Sequence, residues 1–267
     1  MLTPRERVLC ALNHEEPDRV PIFFGTSGAT TMLAPAYDRL KAYLGIQSET
    51  KVFWRALQYT LLDEEVMVRF GSDGRPLLAG AIPSTLARDI SDDAYTDAWG
   101  ITWVRTPGNI YYEVPNPPLQ NATIDDLERY PWPDLAHPSR FRGLAAQARA
   151  IQDAGYAVVA LSGISPFEQA YVMRGIENWL TDLAGNPDFA LALLRKLTDL
   201  MRESVIGLLE EAGEYIDVII TGDDLGSQNA PLISPRMYRR LVKPFHAELM
   251  SAIKSRSKCS VANMDKV

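Results

Sequence analysis

Apolar positions along this chain fall into two periods, and each predicts a different element. Short β-branched or apolar runs read as buried strands. They are Arg19-Val20-Pro21-Ile22-Phe23-Phe24-Gly25, Arg75-Pro76-Leu77-Leu78, Ala157-Val158-Val159-Ala160-Leu161 and Asp217-Val218-Ile219-Ile220-Thr221. Strands are therefore predicted near 20–24, 75–79, 157–161 and 217–221, and Lys258-Cys259-Ser260-Val261-Ala262 opens a fifth. A 3.6-residue period marks the helices. Phe189, Leu193, Leu197, Leu200, Met201, Val205, Leu208 and Leu209 form one face of a long helix between Asn186-Pro187 and Gly213. Thr3-Pro4-Arg5-Glu6 and Ser165-Pro166-Phe167-Glu168 are capping boxes, the second starting a helix to about Ala184. Thr123 starts a capped helical turn, and Arg142 to Ala154 is an Ala-rich helix ended by Gly155. Phe53, Leu57, Leu61, Leu62 and Val66 keep helical spacing, with Gly71 as the cap. Ser234-Pro235 begins the last helix, which Pro244 must break or kink.

Strand and helix alternate repeatedly, which favours a parallel sheet. One excursion interrupts them. Ile101 and Trp103, then Ile110, Tyr112 and Val114, alternate with polar residues around Pro107-Gly108-Asn109, the signature of a β-hairpin near 95–118. No internal repeat or linker divides the chain, so residues 1–267 read as one domain. A complete eight-stranded barrel uses about 250 residues for eight strand–helix units. Fewer can be placed here, and the chain reads as incomplete at its C-terminus. An uncovered parallel edge predicts self-association into a homo-oligomer.

Composition narrows the partners. With 46% apolar and 23% charged residues the chain buries a full core, and a net charge of −7 argues against nucleic acid or an anionic membrane. No apolar run approaches the roughly 20 residues that span a bilayer, and the start MLTPRERVLC lacks the apolar core of a signal peptide. Cys10 and Cys259 are isolated, which fits a reduced, cytoplasmic setting. Cys259 reads as a small buried hydrophobe, and no metal is assigned to it.

The candidate chemistry gathers where the 217–221 strand ends. Gly222-Asp223-Asp224 places two carboxylates at the strand edge where α/β folds bind ligands. Paired acids in a low-dielectric pocket raise one another's pKa, so one acts as general acid or base; the plainer alternative is a loop cap. Substrate contacts are expected from Gly25 and Thr26 in the first loop, from Tyr171 and Arg174, and from Gly222 and Gln228. For Tyr171 and Arg174 the alternative is a core tyrosine and a solvated arginine. Arg236, Arg239, Arg240 and Lys243 read as a solvated face.

Four ordered motifs carry a resemblance: TPRERVLCALNHEEPDRVPIFFG, DDLERYPWPD, SPFEQAYVMRGIENWLTDLAGNP and GDDLGSQNAPLISPRMYRRLVKPF. Together they resemble the uroporphyrinogen decarboxylase superfamily. The resemblance implies an α/β fold, a (β/α)8 TIM-type barrel, here incomplete at the C-terminus and carrying the hairpin. It also implies an enzyme, either a decarboxylase of porphyrin biosynthesis or a zinc-dependent methyltransferase working with a corrinoid protein. The decarboxylases supply arginines from the loop after the first strand, whereas no arginine lies between Arg19 and Arg39. Their strand-end aspartate is replaced by Leu77-Leu78-Ala79-Gly80-Ala81, and their fourth-strand serine by Asp223. An added anion there repels a substrate carrying eight carboxylates. The methyltransferases need a His-x-Cys pair and a distant cysteine. His14, His137 and His246 have no cysteine at that spacing, so no cofactor is expected on this chain and zinc only in a longer form. The expected function is a uroporphyrinogen-decarboxylase-like enzyme whose full-length form transfers a methyl group in a zinc- and corrinoid-linked system. Its expected partners are a small-molecule substrate and a corrinoid protein. Decarboxylation, or a non-catalytic fragment or binding module, are the alternatives.

Overall fold

In a computed structural model, which describes residues 1–163 and 165–263, the first helix forms as its capping box demands. Thr3 Oγ1 accepts from Glu6 N at 3.2 Å and Glu6 Oε2 accepts from Thr3 N at 2.8 Å, starting α1 (Pro4–Leu12). The segment 20–24, predicted as a strand, forms none and joins no sheet. Pro21 removes one amide, and side chains take two more: Ile22 N donates to Asp73 Oδ2 (2.8 Å) and Phe24 N to Ser72 Oγ (3.1 Å). After α2 (Ala34–Leu44) the helix predicted from Phe53 to Val66 is replaced by an antiparallel pair, β1 (Lys51–Trp54) and β2 (Tyr59–Leu61). Gln58 turns the chain at φ +57°, and only α3 (Glu64–Arg69) is helical. Short apolar runs fit both periods, and here pairing wins.

β3 (Gly74–Leu78) follows, then the excursion. It is a three-stranded antiparallel sheet of β4 (Arg88–Ser91), β5 (Ala94–Thr96) and β6 (Thr102–Val104), larger than the predicted hairpin and shifted towards the N-terminus. The expected 101–114 pairing shrinks to one bridge between Val104 and Glu113. α4 (Ile124–Arg129) and α5 (Leu144–Asp153) lead to β7 (Ala157–Leu161). The helix predicted from Ser165 to Ala184 splits into α6 (Pro166–Arg174) and α7 (Ile176–Gly185) at Gly175, whose φ of +84° and ψ of 134° no helix accommodates. α8 (Pro187–Ala212) is the long helix of the prediction, and β8 (Val218–Thr221) the strand after it. The last helix starts as α9 (Pro235–Met237), widens to π geometry over Tyr238–Val242, and continues as α10 (Lys243–Lys254). The widening precedes Pro244, which offers no amide to the preceding turn and crowds it. The chain then enters β9 (Ser260–Asn263).

Among the described residues, β3, β7, β8 and β9 form a parallel sheet in that order. Its two faces follow the period of two. Leu77, Val158, Ala160 and Ile219 face a core completed by Leu144 and Ala148 of α5, Met201, Val205 and Leu208 of α8, and Leu249 and Ile253 of α10. Ala157, Val159 and Val218 face the other way, against Val8 of α1 and Phe23. Two buried aspartates at the amino ends of the strands fasten α1 across the sheet. Asp217 accepts from Arg5 (2.9 Å) and from Val158 N (2.9 Å). Asp73 accepts from Arg7 (2.6 Å) and from Arg19 (2.7 and 2.8 Å).

Candidate functional site at the carboxyl ends of β7 and β8

The parallel register sets Leu161 beside Ile220, so β7 and β8 end together. Ser162 completes the join, its N (3.2 Å) and Oγ (2.8 Å) both donating to Ile220 O. Beyond this level the next turn of each chain contributes one partner of a cap. The first turn of α6 exposes amides that its own ladder leaves unpaired. The predicted box is not formed: Ser165, at φ −162° and ψ 60°, makes no cap of its own. Asp223 caps the helix instead, from the end of β8. Its Oδ2 accepts from Phe167 N at 2.9 Å and its Oδ1 from Glu168 N at 2.6 Å. A carboxylate at a helix N-terminus also meets the positive end of the helix dipole.

Asp223 has a third N–H donor. His246 Nε2, on α10, lies 2.8 Å from Oδ2, with the ring largely shielded from solvent. The carboxylate accepts there, so Nε2 carries a proton, and Nδ1 lies 3.2 Å from the Tyr238 hydroxyl. Ser165 Oγ stands 3.1 Å from Asp223 Oδ1 and 2.9 Å from Glu168 Oε2, and its single proton serves one of them at a time. Asp223 is 2% exposed. It is a hub joining β8, α6 and α10.

Tyr171 stands one turn along α6 from Glu168 and is half-buried. Burial raises its phenol pKa well above the ordinary tyrosine value, and the nearby carboxylates of Glu168, Asp224 and Asp223 raise it further. The hydroxyl therefore remains a donor at neutral pH. The carboxyl ends of β7 and β8 thus carry three carboxylates, a phenol held protonated and an oriented imidazole.

The sequence model of the uroporphyrinogen decarboxylase (URO-D) family matches residues 97–263, more than half of the chain and the whole of this site. The chain belongs to the URO-D family. A solved structure of a methyltransferase from Methanosarcina mazei is similar over 100% of this chain and 71% of its own, with a TM-score of 0.57 and 16% identity, a likeness of fold. No curated protein matches the chain.

Of the residues singled out in this URO-D-family sequence, the structure brings Asp223, Asp224 and Tyr171 together and sets others apart. Arg174 is buried, not solvated: it donates to Asp182 Oδ2 (2.7 Å) and to the carbonyls of Leu119, Gln120 and Ala122. Those bonds tie α6 to α7 and to the chain before α4. Gly222 joins β8 to Asp223, while Gln228 is exposed in a turn closed by Ser227 N and Ala230 O. Gly25 sits at φ +79° with Leu62 where a Cβ would be, 2.8 Å away. Thr26 is buried and bonds to Thr30 Oγ1. Both hold the first loop in shape. Arg236, Arg239, Arg240 and Lys243 are the solvated face expected.

Sequence reasoning missed Ser165, Glu168 and Tyr238 as neighbours of Asp223, and His246 as its partner. Only a weak signal marked His246: it borders the stripe of Val242, Phe245, Leu249 and Ile253 that the helix buries. As for metal, no three His, Cys, Asp or Glu side chains among the described residues converge to hold an ion. Burial raises the thiol pKa of Cys259. No helix among them is long and apolar enough to cross a membrane.

Proposed function

We propose that this URO-D-family enzyme transfers a methyl group to a small thiol in concert with a corrinoid protein, and that its sheet is part of a TIM-type (β/α)8 barrel. One observation carries the reading: carboxylates line the carboxyl ends of β7 and β8 where a porphyrinogen would need guanidinium partners. The one arginine named as a substrate contact, Arg174, is committed to Asp182. A neutral acceptor avoids the repulsion that a polycarboxylate meets at Asp223, Asp224 and Glu168. The likeness to a methyltransferase fold agrees with this choice.

In this reading the residues position and exclude. Asp223 fixes the start of α6 and the His246 ring, and α6 carries Tyr171, whose phenol donates to the bound substrate. Zinc does not fit the described residues, because their cysteines and histidines do not converge, and no step is routed through it. The test is incubation of the chain with methylcobalamin and 2-mercaptoethanol, following loss of the methyl-corrinoid absorbance and formation of the thioether. A parallel incubation with uroporphyrinogen follows its carboxylate count by chromatography. Thioether formation supports the proposal, and stepwise loss of carboxylates from uroporphyrinogen overturns it.

A further inference from the structure

We propose that Asp223 is a specificity-determining residue: an internal carboxylate that fills an anion cradle and so bars carboxylate-bearing substrates from it. The cradle consists of the Phe167 and Glu168 amides, His246 Nε2 and the Ser165 hydroxyl, at 2.6 to 3.1 Å from the Asp223 oxygens. The donors come from three separate places, the first turn of a nine-residue helix, the residue before it, and α10. Backbone amides cannot be turned away, and the imidazole is held from behind by Tyr238. Such a set is preorganised for two carboxylate oxygens, whichever molecule brings them. Here the chain brings its own, and at 2% exposure nothing from solvent competes.

The arrangement has two consequences. A substrate carboxylate finds the amides already taken and meets the charges of Asp223, Asp224 and Glu168. Removing the Asp223 carboxylate leaves buried donors unsatisfied and opens space of carboxylate size, so a small free carboxylate becomes a ligand. Asp223 is on this account a positioning and selecting residue, not the general acid or base that its place at the strand end suggests.

The inference rests on the geometry of the cradle and stands apart from the methyl-transfer chemistry, so the experiment reads binding alone. Thermal melts of the wild type, Asp223→Ala and Asp223→Asn are recorded in sodium formate, sodium acetate and sodium chloride at equal ionic strength. We expect Asp223→Ala to melt below the wild type. Its melting temperature should climb with the logarithm of formate concentration, as mass action on a folded-state site requires, while chloride does not reproduce the rise. Wild type should show no difference between formate and chloride. Asp223→Asn, which fills the space but puts an amide N–H against donors, should melt low and gain nothing from formate. If Asp223→Ala does not fold alone, refolding in formate but not in chloride supports the proposal, and failure in both overturns it. A formate response equal in wild type and Asp223→Ala, or absent from a folded Asp223→Ala, overturns it as well. A formate-responsive variant of a chain that methylates no thiol would sink the proposed function and leave this inference intact.

Discussion

Asp73→Ala tests how the amino end of the sheet is fastened. Asp73 is fully buried and accepts from Arg7 (2.6 Å), from both terminal nitrogens of Arg19 (2.7 and 2.8 Å) and from Ile22 N (2.8 Å). Removing one partner of a buried ion pair costs about 3–5 kcal/mol, because the other charge is left in a poor solvent. Two features reduce that figure. Arg7 keeps Asp18, at 2.6 and 3.0 Å, and Arg19 is exposed enough to turn to water. One feature adds to it: the part-buried Ile22 amide loses its acceptor, for about 0.5–1.5 kcal/mol. The balance is about 3–4 kcal/mol, and Asp18→Ala, whose carboxylate is partly solvated, should cost less. Urea denaturation followed by circular dichroism and tryptophan fluorescence measures both. If Asp73→Ala costs under about 1 kcal/mol, or no more than Asp18→Ala, the network does not hold α1 and residues 20–24 to the sheet.

Three further outcomes are expected. Gly207→Ala gains about 1 kcal/mol of helix propensity, yet its Cβ would lie 2.5 Å from Phe141 Cε2, and overpacking costs about 1–3 kcal/mol; the melting temperature should fall, and an unchanged or higher value would refute the close approach. Asp126 is held below its ordinary pKa by hydrogen bonds from Thr123 N and Oγ1. A lowered folded-state pKa gives stability that is present above the unfolded value and lost as pH falls through the folded one. Asp126→Asn should therefore flatten the acid limb of a melting-temperature profile and leave no trace if the box is not formed in solution. Finally, Asp224→Asn removes one of the carboxylates that, after burial, hold the Tyr171 phenol up. The tyrosine step that Tyr171→Phe removes from an ultraviolet titration should move to lower pH; a step that stays in place would separate the two residues.

What the sequence revealed was local, and what it hid was distant. Thr3–Glu6 and Thr123–Asp126 are capping boxes that close within four residues, and both form. β7 and β8 are apolar runs buried on both faces, where composition alone suffices. Ser165–Glu168 has the same signature and fails, because Asp223, 55 residues beyond Glu168, offers the helix a stronger acceptor. Residues 51–62 failed for a different reason: their apolar positions fit a helix and a strand equally, and Gln58 at positive φ is a turn that no rule would assign to glutamine. His246 has no neighbour in sequence that explains it. Its role exists only once α10 is packed against the end of β8.

Three buried aspartates show how one residue type serves opposite ends of the sheet. Asp73 and Asp217 directly precede β3 and β8, and each is matched by guanidinium from the first 19 residues, so the amino end of the sheet is close to neutral and rigid. Asp223 follows β8 and is matched by amide and imidazole N–H groups, not by guanidinium. Asp224 and Glu168 add to that charge, so the carboxyl end stays negative while being held as firmly as the amino end. Conserving the negative field there has a cost: buried donors and acids must be satisfied one by one. A fold that only needed to cap α6 had a cheaper solution in Ser165, one residue before the helix. Capping it from β8 instead links the strand end, the helix bearing Tyr171 and the helix bearing His246 in a single network.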